Sequence, residues 1–215
     1  MISVVIATCG SGEWEDLAWS RAYPSAINAS LLTHPALRPQ IVIEHLPDAT
    51  LAQARNYGAA KATEPWLVFL DADDELSPQF VAAMTSRLLS DTGDPFRLFA
   101  PAVSYGTTDE HRTVWSEPAI PNTHMTMPPL NHCVIGTAVA AVVFNEVGGF
   151  REGYYPWEDY ELWLRCIRFG CTVQHVPECV YMAHVAADSA HRALSRKDAV
   201  ALSTKIHREH RRESR

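Results

Sequence analysis

Short apolar runs alternate three times with helix-compatible stretches through the first half of this chain, and that rhythm most constrains its fold. Ile2 to Thr8 is apolar and rich in β-branched residues, as suits a strand buried on both faces. Glu13 to Leu32 is helix-compatible, with Pro24 expected to kink or interrupt it. Gln40 to His45 reads as a second strand. Thr50 to Ala62 carries alanines and a leucine at helical spacing, with Thr50 as candidate N-cap. Trp66 to Leu70 is the third strand. Ser77 and Pro78 then suit the N-cap and first position of a helix running to Leu89. Strand, helix, strand, helix, strand, helix predicts an α/β fold with a mostly parallel central sheet flanked by helices. Ligands of such sheets bind beyond the carboxyl ends of the strands, where Thr8, Glu44 and Asp71 fall.

The second half is less regular. Phe96 to Tyr105 and Arg112 to Ser116 are candidate strands. Residues 117–130 hold four prolines and read as a long loop, of a length that is usually functional or mobile. Thr137 to Phe144 reads as a buried strand. Asp159 to Phe169 reads as a helix with Leu162, Trp163, Cys166 and Ile167 at core spacing and Gly170 at C′. Cys171 to Val176 and Cys179 to Ala183 read as two short strands, and 187–215 as a helix that becomes solvated.

Composition limits the rest. The 215 residues, 47% hydrophobic and 20% charged, suit one large domain with a sizeable core. A net charge of -7 argues against whole-molecule attraction to nucleic acid or anionic membrane. The longest apolar stretch, Cys133 to Phe144, has 12 residues, short of the roughly 20 that span a bilayer. No basic, apolar leader opens the sequence, so a soluble, cytoplasmic protein is expected. Five cysteines without a CxxC pair indicate neither a disulfide framework nor a zinc ribbon.

Three stretches carry candidate chemistry. In LVFLDADDEL, three aspartates follow a buried strand, and buried carboxylates need a partner. Asp71 and Asp73 suit a hard divalent cation, Mg²⁺ or Mn²⁺, which completes its shell with phosphate oxygens and water. Asp74 suits the N-terminus of the next helix equally well. In GYYPWEDYELWLRC, Glu158 and Asp159 favour the dipole at a helix start. Tyr154, Tyr155 and Trp157 would also wall them from water, as a general base requires. In LAQARNYGAAKA, Arg55 is either paired with an acid or supports a nucleotide base or phosphate.

In this order, ISVVIAT, IVIEHLPD, ARNYG, WLVFLDADDEL and VGGFREGYYPWEDYELWLR resemble family 2 glycosyltransferases of GT-A fold, over about residues 2 to 185. The resemblance implies a single Rossmann-like GT-A domain over 1–186, with a nucleotide-sugar half to about 105 and an acceptor half to about 186. Residues 187–215 would form a C-terminal helix and basic tail. It implies a metal-dependent, inverting hexosyltransferase that moves a sugar from a nucleotide-sugar, a UDP-sugar by preference, to an acceptor hydroxyl. Ala7 and Thr8 would line the nucleotide pocket. Glu44 stands where relatives carry a base-contacting aspartate, although His45-Leu46-Pro47 replaces the usual Asp-Gly-Ser. Arg55 matches the arginine near the base. Asp71 and Asp73 match the DxD pair, with Asp73 on the Mn²⁺ or Mg²⁺ and Asp71 nearer the ribose. Asp74 would assist the donor sugar or cap a helix. Asp159 matches the catalytic base, and Glu158 would orient the acceptor or the start of the helix. His184 matches a histidine that is a metal ligand in some relatives, and Trp157 would either stack on a sugar ring or simply pack.

Two alternatives share parts of this pattern. A nucleotidyltransferase would carry a basic Gly-rich loop after the first strand, where ATCGSGEWED has glutamates and no Lys or Arg. A non-catalytic nucleotide-sugar-binding module would not need Asp159. The acceptor is open: a glycan, a lipid-linked sugar, a protein, or a modified nucleic acid hydroxyl. A homodimer is compatible with the sequence. The tail residues Lys205, Arg208, Arg211, Arg212 and Arg215 are expected to form a solvated helix end or to touch an anionic acceptor or lipid.

Overall fold

A computed structural model describes residues 1–91, 94–106, 111–114, 133–184 and 195–212. Strands β1 (Ile2–Cys9), β2 (Gln40–Leu46) and β3 (Trp66–Leu70) run parallel, with β1 in the middle. The two-residue β7 (Val139–Ala140) adds antiparallel to β3 and completes the order β2-β1-β3-β7. All of β3 and nearly all of β1 are buried, so the unbroken apolar runs answer to helices on the sheet faces.

Helix α3 (Leu51–Ala60) opens on a capping box, in which the Thr50 hydroxyl accepts from the Gln53 amide and the Gln53 side chain accepts from that of Thr50. It lies close on β1: a Cβ on Gly58 would stand 2.7 Å from Val5 Cγ1. Between β1 and β2, α1 (Gly12–Leu17) and α2 (Tyr23–Ser30) are joined by a π-helical stretch, Ala18–Ala22. The disturbance expected from Pro24 is therefore a widened turn just before it.

A second sheet has the order β4-β8-β5-β6, from β4 (Glu75–Leu76), β8 (Thr172–His184), β5 (Arg97–Gly106) and β6 (His111–Val114). Phe99 and Ala138 exchange backbone hydrogen bonds of 3.1 and 2.9 Å, and so link β5 to the segment entering β7. Strand β8 is one element where two were expected. Its register against β5 slips at Pro101/Ala102, and the bulge carries the exposed Pro177 and Glu178.

Two other expectations fail locally. Thr137 to Phe144 is not one strand: β7 stops at Ala140, and α5 (Ala141–Glu146) buries Val143 and Phe144 while Val142 faces out. A short apolar run fits either element until a neighbouring strand edge decides. Ser77 is not an N-cap. Helix α4 (Phe80–Ser90) has Gln79 at that position, and the Ser77 hydroxyl accepts from the Val180 amide on β8.

Helix α6 (Glu158–Arg168) ends as expected, with Gly170 at φ +110°. The C-terminal helix, α7 (Arg196–Arg212), seats Ile206 in a small second core with Tyr154, Tyr160 and Leu164. The expected solvated helix is thus docked through Ser203, Ile206, His207 and His210, while Lys197, Asp198, Val200 and Ala201 are exposed. The proline-rich segment, Trp115, Ser116 and Arg215 lie outside the described residues, as do the side chains of Arg211 and Arg212. No helix among the described residues is long and apolar enough to cross a membrane.

Candidate active site

The turn after β3 carries the aspartates. It closes through the Asp74 amide on the Asp71 carbonyl, 3.1 Å. The Asp71 amide donates to the Tyr181 hydroxyl of β8 at 3.2 Å. Asp74 is buried, accepts from the His184 amide at 2.8 Å, and shares a hydrogen bond with Tyr181. The Asp73 carbonyl accepts from Arg21 at 2.9 Å, which ties the π-helical stretch to the turn. Burial, then the charge of Asp71, pushes the Asp73 carboxyl above its ordinary value. Burial, then Asp71 and Asp73, pushes Asp74 well above it. Like charges crowded in a poorly solvated turn favour a proton or a cation.

Such a turn suits a divalent ion. Hard carboxylate oxygens from Asp71 and Asp73 are the donors that Mg²⁺ or Mn²⁺ takes, with phosphate and water completing the shell. Among the described residues, no three His, Cys, Asp or Glu side chains form a ready-made metal cage. His184 reaches the same turn, but its Nε2 lies 2.6 Å from the Glu75 carboxylate.

Arg55 on α3 joins this turn to the start of α6. Its guanidinium, 4% exposed as a residue, lies 2.5 Å from Asp71 and 2.7 Å from the buried Glu158, and 5.2 Å from the Phe150 ring centroid. Burial opposes its charge, but Asp71 and Glu158 more than offset this and hold the pKa above its ordinary range. Its neighbour Asn56 exchanges two 2.8 Å hydrogen bonds with the Phe150 backbone. The ARN stretch therefore binds α3 to the segment before α6.

Asp159, next to Glu158, is only partly buried, and its Oδ1 accepts from the Tyr160 amide at 2.6 Å. Tyr105, at the end of β5, is raised by burial and then by the charges of Asp159 and Asp74. Tyr155, 62% exposed, is raised by partial burial and then by Glu158 and Asp71. Trp157 packs instead beside Tyr160, 6.4 Å between centroids, in the second core with Leu202. At the β1 end, Ala7 is buried and the Thr8 hydroxyl lies 2.8 Å from His45 Nδ1. Glu44 meets Lys61 of α3's C-cap at 2.7 Å.

Asp71, Asp73, Asp74, Arg55, Glu158 and His184 are thus gathered around one end of the sheets. Tyr181, Glu75, Arg21 and Tyr105 join them without a sequence signal of their own, and Tyr155, expected to wall Glu158 and Asp159, lies beside Glu158 and Asp71. Tyr181, Arg21 and Tyr105 owe their places to elements distant from the turn in the chain.

The family model described as "Glycosyl transferase family 2" matches residues 21–145, more than half of the chain. The chain belongs to glycosyl transferase family 2. This span contains Arg55 and the three aspartates, while Glu158, Asp159 and His184 lie beyond it. Curated proteins gave no match. Among solved structures, S. aureus TarS 1-349 in complex with UDP-GlcNAc is 11% identical, with a TM-score of 0.64 over 96% of this chain and 65% of that one. GalNAc-T7 with UDP, GalNAc and Mn²⁺ is 17% identical, with a TM-score of 0.59 over 87% of this chain and 44% of that one. The chain therefore spans about half to two thirds of these proteins. At such identities the likeness establishes the fold, the mixed α/β GT-A architecture of the family 2 members.

Proposed function

We propose that this family 2 member is an inverting hexosyltransferase that moves a sugar from a UDP-sugar to an acceptor hydroxyl. The observation that carries this reading is the Arg55 bridge, which sets the aspartate turn beside Glu158 and hence beside Asp159. The UDP-sugar and Mn²⁺ in the solved relatives support the donor class and a divalent ion.

Asp73 and Asp71 would hold Mn²⁺ or Mg²⁺, which when bound supplies charge neutralisation for the leaving diphosphate. Asp71, bonded to Arg55, faces the ribose side. Ala7 and Thr8 line the nucleotide pocket, with Glu44 at its outer edge. Asp74 fixes the turn through His184 and Tyr181, and His184 is the further candidate ligand. Asp159 takes the proton from the acceptor hydroxyl as that oxygen attacks the anomeric carbon from the face opposite the leaving group. One displacement inverts the centre and needs a single base. Glu158, buried on Arg55, orients the start of α6. Trp157 packs behind that turn, and Tyr155 is the aromatic side chain on the cleft side. The acceptor is a glycan, lipid-linked, protein or modified nucleic acid hydroxyl, met in the cytoplasm by a monomer or homodimer.

The test is Asp159→Asn, assayed for UDP release from a panel of UDP-sugars with Mn²⁺ and for UDP binding by calorimetry. Transfer should vanish while UDP affinity stays nearly unchanged. Normal turnover by the variant removes Asp159 from its role. A wild-type chain that binds UDP-sugars yet never releases UDP is a binding module instead.

A further inference from the structure

The turn leading into α6 is held from both sides. On the inner side, Arg55 grips Glu158. On the outer side stands α7, which lies beyond the residues matched by the family model. Lys205 Nζ donates to the Gly153 carbonyl at 3.0 Å and lies 4.2 Å from the Tyr154 ring centroid. The Tyr154 hydroxyl donates to Glu209. The Trp157 amide returns to the Tyr154 carbonyl at 2.6 Å and closes the turn. Further along α6, the Tyr160 hydroxyl lies 3.3 Å from His207, and Glu161 lies 3.5 Å from His210. Ile206 is fully buried between these contacts.

A helix that only covered apolar surface would need Ile206 and Leu202 and nothing more. Lys205 and Glu209 instead spend their charged ends on one backbone carbonyl and one hydroxyl of the turn that aims Glu158 and Asp159. We propose that α7 is a positioning element for the start of α6, with Lys205 and Glu209 as positioning residues for the proposed base Asp159. This rests on the glycosyltransferase reading above. Lys205 reaches a carbonyl and an aromatic face together, a pairing that fixes the ring as well as the backbone. Misplacement of a reacting group by about 1 Å can cost a hundredfold in rate, so loss of one of two ties should cost about tenfold in kcat.

The experiment uses the full chain, with Lys205→Met, Glu209→Gln and the conservative Lys205→Arg. UDP with Mn²⁺ is the binding probe, UDP release from UDP-sugars the turnover probe, and amide hydrogen exchange the structural one. In the first two variants, exchange at residues 154–159 should speed up severalfold while β1 and β3 keep their protection. Turnover should fall with UDP affinity unchanged, and Lys205→Arg should recover it. Unchanged exchange in that turn overturns the proposal, as does unchanged turnover. Faster exchange throughout the core also overturns it, because the helix would then only support the fold. A wild-type chain inactive on every UDP-sugar defeats the glycosyltransferase reading alone, and the exchange result still decides whether α7 fixes the turn.

Discussion

Asp71 and Glu158 accept hydrogen bonds from the same guanidinium, that of Arg55, although one carboxylate ends β3 and the other begins α6. Removing one member of a buried ion group strands the charges it neutralised, which costs about 3–5 kcal/mol. Arg55→Met should therefore lower unfolding free energy by about that amount in urea titrations. Arg55→Lys should recover little, since a point charge cannot meet two carboxylates in one fork. A variant with the wild-type midpoint would show that the bridge adds nothing to stability.

Tyr181 supports the aspartate turn through a single oxygen, shared between the Asp71 amide and Asp74. Tyr181→Phe leaves both groups short of a partner at a cost of about 1–3 kcal/mol. It should also weaken UDP binding in Mn²⁺ more than binding without metal, because the turn carries the proposed ligands. Equal weakening under both conditions would count against a role for the tyrosine at the metal.

Gly136 has no room for a side chain, since a Cβ there would stand 2.3 Å from Tyr181 Cδ2. Gly136→Ala is expected to cost about 1–3 kcal/mol by overpacking. Combined with Tyr181→Ala, which vacates that space, it should cost less than the sum of the two single changes. A double-mutant cycle measures the difference, and strict additivity would contradict the contact.

Glu161 is buried on α6, with Arg165 at 2.8 and 2.7 Å and His210 of α7 at 3.5 Å. Burial raises its pKa, but the bonds to His210 and Arg165 outweigh that and hold it below the ordinary 4.5. A carboxyl depressed by folding adds stability that is present above its unfolded pKa and is lost as pH falls through its folded one. Melting temperatures should therefore drop below about pH 4.5 more steeply for the wild type than for Glu161→Gln. Parallel curves for the two proteins would rule out this linkage.

Much of the scaffold was legible from sequence because it is encoded locally. The β-branched runs of β1 and β3 fix buried strands, Thr50 and Gln53 cap α3, and the end of β3 places Asp71 and Asp73 where ligands of such sheets bind. The family resemblance carried further, through the order of ARN, DADD and ED. Single short runs misled where their hydrogen-bond partners lay elsewhere. Ser77 suits a cap by its position, yet its hydroxyl was taken by β8. Thr137 to Phe144 could have been a strand, yet β3 offers an edge only at Trp66 and Leu67. The packing of Trp157 was decided by α7, which holds it in the second core while Tyr155 stays exposed near Glu158 and Asp71. The sequence by itself determined the order of strands and helices through the first half of the chain and the strand end that carries the carboxylates, because periodicity and caps act within a few turns of chain. Only the tertiary structure decided that Arg55 joins Asp71 to Glu158, that Tyr181 braces the aspartate turn, and that α7 lies on α6. Charge pairs and helix docking depend on segments far apart in the chain, brought together when the two sheets and α6 assemble.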